Sequence, residues 1–284
     1  METLQNQETK GLFDYSIVVV DNDHKESAKE TISLVQTISS IPILYDVEPE
    51  QNISLARNKA LKIANGDFLA CLDDDEFADA EWLFRLYKAA KKYVADGVLG
   101  PVLPFYEIPP PGWVTRGAFF NRKSYNTGKI LREEKNMRTG NFLISKRLIQ
   151  ENKDLFNPEF GIIGGEDSDF FKRMVKKNYL FVWCQEAIVH EIIPAARLSR
   201  SYLLKRALQR GRSAAKRGSL ISFDTLKSLI AFLCYTPILP VLLLFQHHLF
   251  LRYLISDFDH ISKLMARCGI KTNKRWSDLN QSGL

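Results

Sequence analysis

Cysteine is sparse in this 284-residue sequence: there are four, Cys71, Cys184, Cys234 and Cys268, and none stands in a C-x-x-C spacing. That excludes a disulfide-stapled scaffold and a cysteine zinc site, and it points to a reducing compartment. The first ten residues, Met1 to Lys10, lack the apolar core of a secretory signal, so export is not expected. There is no internal repeat and no low-complexity tract. Acidic residues are missing from Arg197 to Arg217, where Arg197, Arg200, Lys205, Arg206, Arg210, Arg212, Lys216 and Arg217 supply more than the whole net charge of +6. The basic character is therefore one patch, on an otherwise slightly acidic chain. Charge of either sign is missing from Ser228 to Phe245, a run that holds Pro237 and Pro240. What is present, 45% apolar and 25% charged residues, suits one large domain or a domain with an appendage.

Tyr15 to Val20 is a β-branched apolar run that ends abruptly in Asp21, Asn22 and Asp23, as expected of a strand buried on both faces. Phe68 to Leu72 is a second such run, ending in Asp73, Asp74, Asp75 and Glu76. Helical periodicity is expected over residues 27 to 38 and 54 to 64, the latter starting at Ser54 as N-cap. This alternation describes a parallel α/β layer, in which ligands bind beyond the carboxyl ends of the strands, where both acidic clusters fall. After a helix near 80 to 95, Gly100 to Lys135 reads as a functional loop or lid. A helix over 167 to 177, strands at 179 to 184 and 187 to 190, and a basic helix over 201 to 217 follow.

Three adjacent carboxylates cannot be buried unpaired. Alternation along an extended strand end points Asp73 and Asp75 to one side, a hard-oxygen pocket suited to Mg²⁺ or Mn²⁺ carrying a diphosphate. The alternative is a solvated turn capping the next helix. Gly164 to Asp169 places two glycines before Glu166, Asp167 and Asp169, where a carboxylate is either a general base or a helix cap. His190, ending a strand, is either a ligand or a satisfied structural residue.

Taken together these residues resemble glycosyltransferase family 2, with the GT-A nucleotide-sugar-binding fold. The resemblance rests on VVVDND at 18 to 23, SLARNKAL at 54 to 61, FLACLDDDE at 68 to 76, TGNFLIS at 139 to 145, FNPEFGIIGGEDSDFFKRM at 156 to 174, and His190. It implies a Rossmann-like mixed sheet flanked by helices, to which the apolar residues further along the chain add a helical, membrane-associating tail. It further implies that Asp73 and Asp75 are the outer acids of a DxD motif, with Asp73, Asp75 and His190 at the metal. Asp74, Arg57 and Asn22 fall on the nucleotide side, and Gly140, Asn141, Gly165 and Glu166 beside the donor and acceptor. Asp167 is the implied catalytic base of an inverting displacement. Asn22 stands where many members have an Asp facing uracil, so uridine and thymidine nucleotides both stay open. The implied partners are a nucleotide-diphosphate sugar, a glycan or lipid-linked acceptor, and no nucleic acid.

Members of that family begin with a strand and helix ahead of VVVDND, so the domain is expected to be incomplete at its start, with a gap beside the central strands. A catalytically impaired nucleotide-sugar-binding protein and a sugar-nucleotide nucleotidyltransferase are the alternatives; no Gly-rich phosphate-cradling loop supports the latter. The expected organisation is a catalytic domain over 1–196, a basic amphipathic helix over 197–221, and an apolar helical tail over 222–284, in which Ser228 to Phe245 is open between a membrane span, a pair of interfacial helices broken near Pro237 to Pro240, and a buried helical hairpin. Basic helix and tail together predict peripheral attachment to the anionic cytoplasmic face of the cell membrane.

Overall fold

The computed structural model describes residues 1–153, 155–162, 164–215 and 221–270. These form two compact units, Met1–Pro104 with Arg122–Ile192, and Phe105–Asn121 with the described residues from Ile193 onward. The second unit thus takes in the middle of the expected lid.

A single helical turn, α1 (Glu2–Gln5), opens the first unit. Gln7 anchors it, donating Nε2–H to the Asp79 carbonyl at 2.9 Å and accepting from the Leu83 N–H at 2.9 Å. Next come β1 (Ile17–Asp21), α2 (Lys29–Ile38), β2 (Ile43–Val47) and α3 (Ile53–Ile63). β1 and β2 run parallel, from Ile17 opposite Ile43 to Asp21 opposite Val47. Helix α3 starts earlier than Ser54. Asn52 is its cap, with an extended backbone and an Oδ1 that accepts from the N–H groups of Ser54 and Leu55 at 3.0 and 3.4 Å. Ser54 lies buried inside the first turn instead.

The chain continues through β3 (Phe68–Leu72), β4 (Glu76–Ala78), α4 (Trp82–Tyr93), β5 (Gly97–Leu99), β6 (Val102–Tyr106), α5 (Gly112–Gly117), β7 (Ile130–Leu131), β8 (Asn141–Ser145), α6 (Lys146–Gln150), α7 (Glu166–Lys176), β9 (Phe181–Trp183) and β10 (Val189–Ile193). The segment expected as one loop therefore carries β6, α5 and β7, elements too short to show a period in sequence. The main sheet has the order β3-β8-β5-β9-β7. It is mixed: β5 and β9 are parallel, whereas β8 is antiparallel to both β3 and β5. The purely parallel reading fails because β8 enters between two strands from the opposite direction. Among the described residues β1 and β2 make a separate pair.

Side chains on β8 alternate in the two-residue period of a strand covered on both faces. Phe142 and Ile144 join Phe170, Phe171 and Met174 of α7 in one core. Leu143 joins Trp82, Leu86, Ala89 and Ala90 of α4 in the other. Strand β9 divides likewise, Phe181 and Trp183 to the first core and Val182 to the second. A helix on each face of the sheet holds the strand ends, and the acids that follow them, in fixed positions.

In the second unit Val114, Phe120, Ile193, Leu198 and Leu203 form a smaller core. It contains α8 (Arg200–Ala215), α9 (Phe223–Phe245) and α10 (His247–Arg267). Helix α8 buries Leu203, Ala207, Gly211 and Ala215, one row at four-residue spacing. A break near Pro237 to Pro240 is absent. Helix α9 runs on through both prolines, and the chain turns at Gln246 (φ −145°, ψ 79°). Each proline removes one intrahelical donor, a loss that packing along α10 outweighs. Lys216, Arg217 and the tail beyond residue 270 lie outside the described residues.

Candidate active site

The site forms where β3, the start of β8, α3 and the start of α7 meet. Its hub is Arg57, on α3. One guanidinium nitrogen donates to Glu166 Oε1 and to Asp167 Oδ1, both at 2.9 Å, and the other donates to Asp73 Oδ1 at 3.2 Å. Only 16% of the Arg57 side chain is exposed, against 13% for Glu166, 17% for Asp167 and 40% for Asp73. Burial works against the Arg57 charge, but Asp167, Asp73 and Glu166 outweigh it and hold the group protonated well above its ordinary range. Burial raises the Asp73 carboxyl, which Arg57 pulls back down. Burial and then Asp167 raise Glu166.

Long-range contacts place the two halves of this hub. Asn58 Nδ2 donates to the Phe156 carbonyl at 2.7 Å, and the Phe156 N–H donates back to Asn58 Oδ1 at 2.9 Å. Asn52 Nδ2 donates to the Pro158 carbonyl at 3.0 Å. Helix α3 is thereby tied to the segment leading into α7. That segment turns through Gly164 (φ 79°) and Gly165 (φ 105°), left-handed conformations that favour glycine. Gly165 itself is the N-cap of α7, so Asp167 lies inside the first turn, facing Arg57, and is not the cap. Thr139 completes its surroundings: its hydroxyl donates to Asp167 Oδ1 at 2.6 Å and its N–H to Oδ2 at 3.4 Å. Thr139 was not singled out in sequence, although it precedes the Gly140-Asn141 pair.

Beside Asp73 stands Glu76, whose side chain is 1% exposed. Its Oε2 accepts from the Asp73 N–H at 3.3 Å, and its Oε1 is buried without a hydrogen bond, 3.9 Å from an Arg122 guanidinium nitrogen. Burial first, then Asp73, pushes this carboxyl up to about 8. A Cβ on Gly140 would lie 2.6 Å from Glu76 Oε1 and 3.0 Å from Asp73 Oδ2, so only glycine allows β8 to start this close to the acidic turn. Among the described residues no three His, Cys, Asp or Glu side chains converge as a ready metal shell. The donor set nonetheless fits a hard divalent cation held by two carboxylates and completed by substrate phosphates. Asp73 and Asp75 are oxygen donors, and Glu76 Oε1, buried without a hydrogen bond, lies beside them.

Other expected residues are placed differently. Asn141 is 2% exposed and wholly engaged, accepting from Trp82 Nε1–H at 2.8 Å and donating to the carbonyls of Pro101 and Ala187 at 2.9 and 2.8 Å. Asn22 donates to the Glu48 and Glu50 carbonyls and accepts from the Asn52 N–H at 3.0 Å, pinning the loop ends after β1 and β2. His190 lies opposite Phe77 in the β4–β10 pair, stacks on that ring, and has Nε2 3.2 Å from Asp79 Oδ1. Asp74 is exposed at the tip of the acidic turn.

Comparison with known proteins places this arrangement in context. The family model described as Glycosyl transferase family 2 matches residues 1–152. The succinoglycan biosynthesis protein ExoM of Rhizobium meliloti (strain 1021) is 35% identical over 207 residues, which are 69% of this chain and 63% of that protein. The match therefore spans less than two thirds of that relative's length. Among solved structures, S. aureus TarS 1-349 in complex with UDP superimposes with a TM-score of 0.50 at 14% identity, covering 94% of this chain and 86% of that one. A longer S. aureus TarS structure gives a TM-score of 0.51 at 12% identity, covering 96% of this chain and 52% of that one. The likeness to TarS is one of fold: an α/β arrangement of mixed sheet and flanking helices.

Proposed function

The chain belongs to glycosyl transferase family 2, and on that premise we propose that it is an inverting, metal-dependent transferase. It moves a sugar from a nucleotide-diphosphate sugar to a hydroxyl of a glycan or lipid-linked acceptor, in the synthesis of a cell-surface polysaccharide. The observation that carries this reading is the Arg57 hub. One guanidinium bridges the first acid of the DDD run and both acids of the ED pair, so donor-side and base-side carboxylates line one pocket.

In this reading the acceptor oxygen attacks the anomeric carbon as the bond to the diphosphate breaks, and Asp167 takes the hydroxyl proton. Thr139 and Arg57 fix the Asp167 carboxylate in place through Oδ1. Asp73 and Asp75 would hold Mg²⁺ or Mn²⁺, which when bound offsets charge on the departing diphosphate. The basic helix and the apolar α9 support attachment to the cytoplasmic face of the cell membrane, where a lipid-linked acceptor is presented.

Two variants separate binding from chemistry. Asp75→Ala should abolish Mn²⁺-dependent binding of the nucleotide in calorimetric titration while the circular dichroism stays unchanged. Asp167→Asn should keep donor binding but lose about 10² to 10⁴ in transfer rate. Undiminished metal-dependent affinity in the first, or turnover within a few-fold of wild type in the second, would overturn the assignment. A product that retains the donor's anomeric configuration would overturn the inverting mechanism.

A further inference from the structure

Helix α9 is apolar enough and long enough to cross a bilayer, with a mean hydropathy of 2.2 over its best window, yet it is not a core helix, since only 6% of that window is buried. Its less exposed positions, Thr225, Ser228, Ala231, Phe232, Tyr235, Leu239 and Leu242, follow the three- and four-residue spacing of one helix face and form one narrow seam. That seam faces α10. Asp224 pairs with Lys263 and Arg267 at one end, and Thr236 Oγ1 lies 3.2 Å from Asp257 Oδ2 near the middle, where Tyr235 packs edge-on against Tyr253. The remaining outward positions are exposed, among them Leu226, Leu229, Ile230, Leu233, Ile238, Val241, Leu244 and Phe245.

A helix left apolar on every side but one needs a surrounding apolar medium. A flat protein face or a second copy would cover a single side, whereas the exposed apolar side chains of α9 are spread around the helix away from α10. Exposed basic groups flank the run, Lys227 at its start and His247 and Arg252 beyond its end, matching anionic headgroups at both ends. Crossing the bilayer is opposed by α10. It lies antiparallel along α9 and carries Arg252, Asp257, Asp259, His260, Lys263 and Arg267 over its whole length, with α8 packed against it in turn. A spanning α9 would draw those charges into hydrocarbon.

We propose that α9 lies in the plane of one leaflet as a monotopic wedge, with α10 holding it on the protein side. This refines the membrane placement above and rests on it. The anchor is then the apolar strip more than the basic helix, whose Arg210 is already engaged by Asp259 at 2.7 Å.

The test uses the full chain and preformed sealed vesicles of phosphatidylcholine, with or without phosphatidylglycerol. Flotation with the anionic vesicles should persist in about 1 M salt, where the Debye length is about 3 Å. Leu244→Glu/Phe245→Glu alters two residues each 79% exposed, so circular dichroism and the thermal midpoint should hold while vesicle partitioning falls at least tenfold. For topology, Gln246→Cys is labelled with NBD in a chain whose exposed cysteines are replaced (Cys234→Ser, Cys268→Ser), the same chain without Cys at 246 setting the background. Externally added dithionite should quench the label completely. Protection of that label would show that the turn has crossed the bilayer, overturning the in-plane mode while leaving membrane attachment standing. Absence of flotation with either vesicle would overturn membrane attachment itself. Unchanged partitioning of the Glu double variant, or a lipid-free dimer that the same variant dissolves, would show that the strip is not the wedge.

Discussion

Replacing Arg57 by Met keeps most of the volume and removes the one cation that, among the described residues, is bonded to Asp73, Glu166 and Asp167. At about 3 Å and an effective dielectric near 20, each contact is worth roughly 5 kcal/mol of Coulomb attraction. Asp73, at 40% exposure, contributes less because water screens it. Most of the total offsets the desolvation of the four groups, and removing one partner of such a buried cluster costs about 3 to 5 kcal/mol. The loss should depend on pH with a definite sign. A carboxyl whose pKa is raised on folding binds more protons folded than unfolded, so its contribution to stability falls as pH rises from the unfolded pKa to the folded one. Asp73 and Glu166 are raised already, and without Arg57 they rise further. Arg57→Met should therefore cost about 3 to 5 kcal/mol near pH 7.5 and about 1 kcal/mol near pH 5, where protonation relieves the repulsion. Urea unfolding followed through the buried Trp82 and Trp183 measures both values in the first unit. A loss under about 1 kcal/mol at both pH values, or one that grows on acidification, would refute the hub as described.

Asn141→Ala should destabilise the protein by about 3 kcal/mol, because it leaves the Trp82 indole N–H and the Ala187 carbonyl buried and unpaired and strips the Pro101 carbonyl down to its bond from the Val189 N–H. A donor-side role would instead raise KM with stability unchanged, and denaturation alongside kinetics distinguishes the two. Glu76→Gln should flatten the pH dependence of stability: the wild-type carboxyl, raised to about 8, makes the fold less stable as pH climbs from about 4.5 to 8. The shift corresponds to an upper figure of about 5 kcal/mol, and parallel wild-type and mutant curves over that range would contradict the burial of Glu76.

Asp73, Glu166 and Asp167 stand out in sequence because clustered carboxylates have few structural uses, and the structure gathers them around Arg57. Arg57 itself read only as a nucleotide-side residue, since Glu166 and Asp167, which help bury it, lie far along the chain. Asn141 carries a structural load that its sequence context does not show. A polar residue in a glycine-flanked motif looks functional until Trp82, 59 positions away, is seen to hold its amide. The cap of α3 was misplaced because Asn and Ser serve equally well, and what favours Asn52 is its reach to Pro158. The prolines of α9 suggested a break for sound local reasons, and the seam along α10 overrode them.

The reciprocal bonds between Asn58 and Phe156 join residues 98 apart in the chain. During synthesis at about 5 to 20 residues per second, roughly 5 to 20 seconds separate the emergence of the two. Through that interval the acidic turn after β3 is complete while the helix bearing Glu166 and Asp167 has not been made. The three carboxylates are therefore brought out of water only when the long loop closes, an entropic step taken late and once. A nascent chain holds its strand ends hydrated until then, and the three acids come together already bonded to Arg57.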